Sequence, residues 1–165
     1  MLIFLVGYMG SGKSTIGKLL SEQLGVSHLE SDAYIEHLES MTINEIFEQK
    51  GETYFRNLES AFIYALKPGK MVVSTGGGMP CFNDNISIMN EIGTTIYLEA
   101  TPEILTHRLI NSSDRPLLKN LNKGQLMEFI EKHMEDRYEY YEKSHLIVDA
   151  NGPADNVVTH ILNQL

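Results

Sequence analysis

Residues 7–14 read Gly7-Tyr8-Met9-Gly10-Ser11-Gly12-Lys13-Ser14, and they lie between an apolar run of strand length and a segment of helical periodicity. The spacing is that of GxxxxGK[ST], and a strand before it and a helix after it are the context that this motif requires. The glycines permit a backbone path that turns successive N–H groups inward, and the helix N-terminus adds partial positive charge. These residues therefore predict a loop that cradles a phosphate group.

The polar residues of this P-loop have defined chemistry. Lys13 can reach the β- and γ-phosphates of a nucleotide, and the Ser14 hydroxyl is the expected Mg²⁺ ligand. The alternative is a glycine-rich turn that binds nothing, which would make the whole match and its context accidental. We expect the ATP phosphates to contact Gly10, Ser11, Gly12, Lys13, Ser14 and Thr15.

The nucleotide is expected to be adenine-based, because the elements of a guanine site are not found in the sequence. A guanine site carries an NKxD element, and the nearest string, Asn122-Lys123-Gly124-Gln125, lacks the acid. The string Asp149-Ala150-Asn151-Gly152 fits DxxG but follows the last predicted strand. Both matches are interpreted as chance, which disfavours a GTPase.

Apolar runs of strand length alternate with longer helical segments along the chain. This pattern predicts repeated βαβ units and an α/β fold with a parallel sheet, and 165 residues fit one domain, 1–165. Strands are predicted at Leu2–Val6, His28–Glu30, Met71–Thr75, Thr94–Leu98 and Leu146–Val148. Helices are predicted at Lys13–Leu24, Asp32–Leu38, Ile43–Leu66, Asn83–Glu91, Pro102–Ile110, Gly124–Tyr141 and Ala154–Leu165.

Two segments depart from the alternation. Between the second and third strands the chain spends about forty residues in helix, far more than a simple crossover needs. This excess predicts a helical substrate-binding insertion at about residues 32–62. The second segment, Asn111–Asn120, is polar, is interrupted by Pro116 and lies between two helices, so it predicts a mobile lid at about 111–123.

Composition limits the partners and the compartment. The formal net charge is -9 and the 13 lysines and arginines are scattered, which disfavours nucleic acid and anionic membranes. The single cysteine, Cys81, excludes an intramolecular disulfide. The apolar start is too short for a signal peptide or a membrane span, so a cytoplasmic protein is expected. The six histidines lack metal-ligand spacing and are interpreted as structural or surface residues.

Carboxylates follow the second predicted strand, at the sheet edge where ligands of open α/β sheets bind. The chain reads Leu29-Glu30-Ser31-Asp32 there, and Asp32 can accept the proton of an attacking hydroxyl. The alternative is that Asp32 only caps the next helix. Four motifs follow in order, at Gly51–Glu59, Ser74–Gly78, Arg115–Leu118 and Arg137–Tyr141.

The combination of motifs resembles the shikimate kinases over about residues 1–150. That family carries GxMGxGKS/T, D-x-D, G-E-x-x-F-R-x-x-E, S-T-G-G-G, R-P-L-L and R-x-x-x-Y in this order. The resemblance implies a P-loop sandwich with five parallel strands in the order 2-3-1-4-5. It also implies Mg²⁺ as cofactor, ATP and shikimate as substrates, and shikimate 3-phosphate and ADP as products.

The resemblance also implies roles for individual residues. It implies that arginines bind the shikimate carboxylate, that a glycine run contacts the ring, and that a carboxylate binds the ring hydroxyls and serves as base. A lid arginine reaches the transferring phosphate, and another arginine lies against the adenine. Arg56 and Arg137 match the arginines that bind the carboxylate, and Gly76, Gly77 and Gly78 match the glycine run. Asp32 matches the carboxylate that serves as base. Arg115 matches the lid arginine, and Arg108 matches the arginine that lies against the adenine.

The match to the family is looser at two places. Asn151-Gly152-Pro153 falls at the adenine loop but matches it loosely. Glu30 stands where the family has the first aspartate of D-x-D, which leaves its part in the Mg²⁺ shell open.

Two other functions remain open at this point. Another small-molecule P-loop kinase, for gluconate or a nucleoside monophosphate, shares the cradle and lid but does not need the Gly51–Glu59 and Ser74–Gly78 motifs. A nucleotide-binding module without turnover is disfavoured by the presence of Lys13, Ser14, Asp32 and Arg115. The oligomeric state is not evident from the sequence, and a monomer is expected.

Overall fold

A computed structural model describes residues 1–111, 118 and 120–165, and its framework is a five-stranded sheet. The strand order is β2-β3-β1-β4-β5, and all neighbouring strands are parallel. The predicted α/β fold and the order 2-3-1-4-5 are confirmed. The strands are β1 (Leu2–Val6), β2 (Ser27–Glu30), β3 (Met71–Ser74), β4 (Thr94–Glu99) and β5 (Leu146–Asp149).

The helices of the described residues lie close to the predicted positions. A short 3₁₀ turn, Met79–Cys81, precedes the fifth helix, which begins at Asn85 rather than at Asn83. The helices are α1 (Lys13–Leu24), α2 (Ser31–Glu39), α3 (Ile43–Lys50), α4 (Glu52–Ala65), α5 (Asn85–Ile92), α6 (Pro102–Leu109), α7 (Lys123–Tyr141) and α8 (Ala154–Leu162).

Strand β1 lies in the middle of the sheet and is buried along its whole length. Phe4 and Val6 join a core with residues of α4, α5, α6 and α7, whereas Ile3 and Leu5 join a core with residues of α1 and α8. Successive residues of a strand point to opposite faces of the sheet. An uninterrupted apolar strand therefore specifies a sheet that is covered by helices on both faces.

One predicted element is wrong. The sequence predicts a single helix over Ile43–Leu66, but the chain forms α3 and α4, which meet at Gly51. Gly51 has φ 85° and ψ 169°, a conformation that glycine adopts and other residues avoid. The break lets Ile46 of α3 pack with Phe55 of α4 and Ile35 of α2 in a small separate core. Apolar periodicity continues on both sides of Gly51, so periodicity alone does not reveal the turn.

The predicted insertion lies within the described residues, whereas most of the predicted lid does not. Helices α2, α3 and α4 fill the space between β2 and β3 in the chain, where the substrate-binding insertion is predicted. The predicted lid falls mostly on residues 112–117 and 119, which lie outside the described residues. Within the described part of the chain, no helix combines the length and apolarity that crossing a bilayer requires.

Three segments that carry the sequence motifs begin at the same edge of the sheet. The P-loop follows β1, the pair Ser31-Asp32 follows β2, and the run Gly76–Gly78 follows β3. Because β1, β2 and β3 are adjacent and parallel, their carboxyl ends lie side by side. This arrangement brings the motifs together at the position where α/β sheets bind ligands.

Tyr97 on β4 offers a test of how the core is packed. Its ring stacks on Tyr141 at 5.0 Å, and its buried hydroxyl has no hydrogen-bond partner among the described residues. Burial raises the pKa of Tyr97. Replacing Tyr97 by Phe keeps the stack and removes an unsatisfied polar atom, so the free energy of unfolding should rise by about 1 kcal/mol in urea titrations.

Tyr141→Phe is the matched comparison for this prediction. The Tyr141 hydroxyl donates to Gly77 O at 2.7 Å, so its loss should lower the free energy of unfolding by about 1 kcal/mol. A loss of stability in Tyr97→Phe as large as that in Tyr141→Phe would contradict the prediction.

Candidate active site

A cleft of about 480 Å³ opens at the carboxyl edge of the sheet. Its walls are the P-loop, the residues after β2 and β3, and the loop that follows β5. Most of the predicted nucleotide residues and the predicted base face this one cavity. The lining includes Gly10, Ser11, Gly12, Lys13, Ser14, Thr15, Glu30, Asp32, Gly76, Gly77, Arg108, Ala150 and Gly152.

The P-loop has the backbone that its glycines predict. Gly10 and Gly12 have φ 82° and 97°, in the left-handed region that favours glycine, and Gly12 caps the N-terminus of α1. Lys13 Nζ donates to the carbonyl oxygens of Gly7 at 2.8 Å and Tyr8 at 2.9 Å. The lysine side chain is therefore held across the loop and lines the cleft where a phosphate is predicted to bind.

Oxygen donors suited to Mg²⁺ lie beside the lysine. The Ser14 hydroxyl donates to Glu30 Oε2 at 3.1 Å, and Asp32 lines the same cleft. Among the described residues no group of three or more His, Cys, Asp or Glu side chains is arranged to hold a metal by itself. A hydroxyl and carboxylates fit an ion that takes its remaining ligands from phosphates and water, as Mg²⁺ does. The extra methylene of Glu30 thus does not keep its carboxylate away from Ser14.

Asp32 does not serve as a helix cap. It lies in the first turn of α2, whereas the N-cap position is occupied by Glu30, whose side chain makes no capping hydrogen bond. Asp32 Oδ1 accepts from the Ser31 hydroxyl at 3.3 Å, and Ser31 Oγ accepts from Gly76 N at 2.9 Å. The buried Ser31 therefore ties the carboxylate to the glycine run.

Each glycine of the run Gly76–Gly78 lies against one of the predicted site residues. A Cβ at Gly76 would lie 2.6 Å from Asp32 Oδ1, and a Cβ at Gly78 would lie 2.5 Å from Arg56 Nη1. At Gly77 the corresponding neighbour is Arg137 Nη1, at 3.3 Å. These glycines are needed for close approach and not for a left-handed backbone, since none has a positive φ.

Arg56 is held in place by contacts within the protein. Its Nη1 donates to Glu59 Oε2 at 2.8 Å, and its Nη2 forms an ion pair with Glu52 at 3.2 Å. The guanidinium also lies 4.0 Å from the centre of the Phe82 ring. With its side chain 11% exposed, Arg56 presents a fixed, largely desolvated guanidinium, the group that pairs best with a carboxylate.

Glu59 is the carboxylate under this arginine, and it is 1% exposed. Burial raises the pKa of Glu59 to about 7, although the positive charges of Arg56 and Arg137 act to lower it. The Oε1 atom has no hydrogen-bond partner among the described residues, and it lies 3.2 Å from the place of a Gly76 Cβ. Both guanidinium groups therefore act on one buried carboxyl group at the glycine run.

The remaining arginines occupy different parts of the site. Arg137 of α7 approaches Gly77 and lies 5.8 Å from the centre of the Tyr8 ring. Arg108 of α6 donates to Gly10 O at 3.2 Å and to Ala150 O at 2.9 Å. It thus joins the P-loop to the loop after β5, where the adenine is expected. Arg115 lies outside the described residues, so its predicted role stays a prediction.

Several contacts in the site have no counterpart in the sequence-based assignment. Ser31 and Tyr141 both hydrogen-bond to the backbone of the glycine run, Ser31 at Gly76 N and Tyr141 at Gly77 O. Glu59 is the last residue of a quoted motif, and its three-residue spacing from Arg56 on a helix is the one signal that predicts their pairing. His133, interpreted as structural or surface, hydrogen-bonds to Tyr8 of the P-loop.

Comparison with known proteins agrees with this arrangement. The sequence profile of the shikimate kinase family matches residues 9–165. A shikimate kinase from Bacteroides fragilis is 39% identical over 155 residues, which are 93% of this chain and 87% of that protein. The chain belongs to the shikimate kinase family. The protein is therefore an ATP-dependent kinase with a P-loop.

Solved structures of the family superpose over the whole chain. The shikimate kinase from Bacteroides thetaiotaomicron has a TM-score of 0.93 and 36% identity, and the match covers 100% of this chain and 99% of that one. The shikimate kinase from Acinetobacter baumannii, solved in complex with shikimate, has a TM-score of 0.87 and 34% identity, with 99% and 91% covered. The family resemblance inferred from the motifs is confirmed.

The buried carboxyl group of Glu59 predicts a pH dependence of stability. A folded-state pKa of about 7, above the ordinary value of 4.5, means that folding favours the protonated form. The stability contributed by Glu59 is therefore complete below about pH 4.5 and is lost as the pH rises through about 7. Glu59→Gln should remove this dependence, so its stability relative to the native protein should increase by on the order of 2 kcal/mol between pH 5 and 8.

Urea unfolding of both proteins across this pH range tests the prediction. Glu52→Gln is the control, because it removes the other, well exposed carboxylate that pairs with Arg56. A stability difference between Glu59→Gln and the native protein that stays constant from pH 5 to 8 would exclude the proposed titration.

Proposed function

We propose that the protein transfers the γ-phosphate of ATP to the 3-hydroxyl of shikimate, giving shikimate 3-phosphate and ADP. The observation that carries the proposal is the convergence of Asp32, Arg56 and Arg137 on the glycine run, beside the P-loop. One carboxylate and two guanidinium groups around a floor without side chains suit a small ligand with hydroxyls and a carboxylate.

At the donor site, the P-loop amides and Lys13 hold the ATP phosphates, and Ser14 holds Mg²⁺ with the help of the Glu30 carboxylate. Bound Mg²⁺ supplies positive charge that offsets the charge of the transferring phosphoryl group. Arg108 lies against the adenine and orders the loop after β5. Arg115 is assigned to the γ-phosphate in the loaded site, where its charge stabilises the transition state.

At the acceptor site, Arg56 and Arg137 bind the shikimate carboxylate, and the glycine run supports the ring. Asp32 binds a ring hydroxyl and accepts its proton as the oxygen attacks the γ-phosphate in line. Ser31 keeps the Asp32 carboxylate oriented while it does so. A relative that superposes over 99% of this chain was solved with shikimate bound, which supports the choice of acceptor.

We also propose that the reaction takes place in the cytoplasm. A net charge of -9 disfavours nucleic acid and anionic membranes as partners, and the expected form is a monomer. The small anionic substrates are then attracted by the local cluster of arginines rather than by the protein as a whole.

Coupled ADP release with shikimate, gluconate and AMP offered in parallel tests the acceptor. Shikimate should support turnover with a kcat/KM at least about 10³-fold above that of the others, because only shikimate matches both arginines and Asp32. ADP release with gluconate or AMP alone would assign the protein to another kinase activity. No release with any acceptor would favour a nucleotide-binding module.

Asp32→Asn tests the proposed base. The amide keeps the size of the side chain but cannot accept the proton, so kcat should fall by about 10²–10⁴. Because Asp32 is exposed and the N-cap position of α2 is Glu30, the melting temperature should stay close to that of the native protein. Asp155→Asn, an exposed acid in the first turn of α8 outside the cleft lining, is the control. An unchanged kcat in folded Asp32→Asn would remove Asp32 from catalysis.

A further inference from the structure

Helix α7 turns one face toward the site, and it carries Arg137 there together with two less obvious side chains. His133, Arg137 and Tyr141 are spaced four residues apart, so they lie along one face of the helix. Tyr141 reaches Gly77 O, Arg137 approaches Gly77, and His133 reaches the P-loop. The outer two residues are thus anchored on either side of the arginine.

The anchor at the P-loop is Tyr8, whose side chain is 1% exposed. The Tyr8 hydroxyl and His133 Nδ1 are 2.9 Å apart, and the two rings meet edge to face with centroids 5.5 Å apart. His133 also packs against Phe129, at 5.4 Å between ring centroids. The contact between Tyr8 and His133 is therefore packed and partly buried, unlike a contact between exposed side chains.

Tyr8 contacts one residue assigned to the ATP phosphates and one assigned to the acceptor. Its carbonyl oxygen accepts from Lys13 Nζ at 2.9 Å, and the Arg137 guanidinium carbon lies over its ring, 5.8 Å from the ring centre. A cation over an aromatic face is attracted by the ring quadrupole. One residue thus contacts the lysine assigned to the phosphates and the arginine assigned to the acceptor carboxylate.

We propose that the hydrogen bond between Tyr8 and His133 is a positioning contact that holds Arg137 at the acceptor site, in register with the P-loop. The inference rests on the proposed function, because it assigns the pair to the binding of the acceptor. Neither residue is a fixed position of GxxxxGK[ST] or R-x-x-x-Y, so the motifs do not account for the contact.

The hydrogen bond is well suited to this role. A neutral imidazole can accept from the Tyr8 hydroxyl at Nδ1 while its proton lies on Nε2. Burial and the charges of Arg137 and Arg56 lower the pKa of His133, and Asp136 opposes this shift. The neutral form is thereby favoured, and α7 keeps a fixed distance from the P-loop at the turn that precedes Arg137.

The test uses variants that change the bond but keep the packing. Tyr8→Phe removes only the hydroxyl, and His133→Leu removes the acceptor. In both, the KM for shikimate should rise about three- to tenfold, while kcat and the KM for ATP stay within about twofold. The double variant should be no worse than either single variant, because both remove one bond. His133→Gln, whose Oε1 can accept from Tyr8, should restore the KM for shikimate.

Tyr97→Phe is the matched control, since it removes a buried tyrosine hydroxyl that is not bonded to any described residue. Its KM values should equal those of the native protein. If the native protein releases no ADP in the presence of shikimate, the proposed function itself is wrong. With active native protein, an unchanged KM for shikimate in Tyr8→Phe would overturn the inference, even if the melting temperature fell. Equal rises in the KM for ATP and for shikimate would overturn it too, because they would mean a distorted P-loop.

Discussion

The acceptor side of this protein depends on the absence of side chains at the end of β3. Asp32, Arg56 and Arg137 come from three different helices, and each approaches one glycine of the run Gly76–Gly78. A Cβ at Gly76 or Gly78 would lie within 2.6 Å of a charged atom, closer than carbon can approach it. A single substitution there therefore displaces a charged side chain of the site as well as the loop. The glycine run is the surface against which these charged side chains pack.

The two arginines that pack against the glycine run are held in different ways. Arg56 is paired with Glu59 and Glu52, which fixes its direction, and Glu59 remains buried despite the cost to its charged form. None of the ion pairs among the described residues includes Arg137, which lies over Tyr8 instead. Arg56 is thus fixed by direct ion pairs, whereas Arg137 makes no direct ion pair with a described residue, so its positive charge is less neutralised and can act on a ligand.

Local sequence patterns predict most helices and strands of the fold, but they predict few of the contacts inside the site. The P-loop and β1 follow from a glycine pattern and an apolar run, whose effects act within a few residues. The apolar periodicity continues through Gly51 and does not predict the turn there, since Ile46, Phe55 and Ile35 come together only in the folded protein. His133 and Tyr8 are 125 residues apart, and Gly76 and Ser31 are 45 apart, so neither bond leaves a local pattern. The family motifs supplied the arginines because the resemblance carries such long-range placement with it.

The backbone of the glycine run is only partly available to a ligand, which refines the expected role of its three residues. Gly76 N donates to Ser31, Gly76 O accepts from Met79 N, and Gly78 O accepts from Cys81 N. Gly77 O accepts from Tyr141. No hydrogen bond among the described residues uses the N–H of Gly77 or Gly78. These two amides adjoin Arg137 and Arg56, so in the proposed complex they would add donors to the bound carboxylate, whereas Gly76 would serve mainly to admit Asp32.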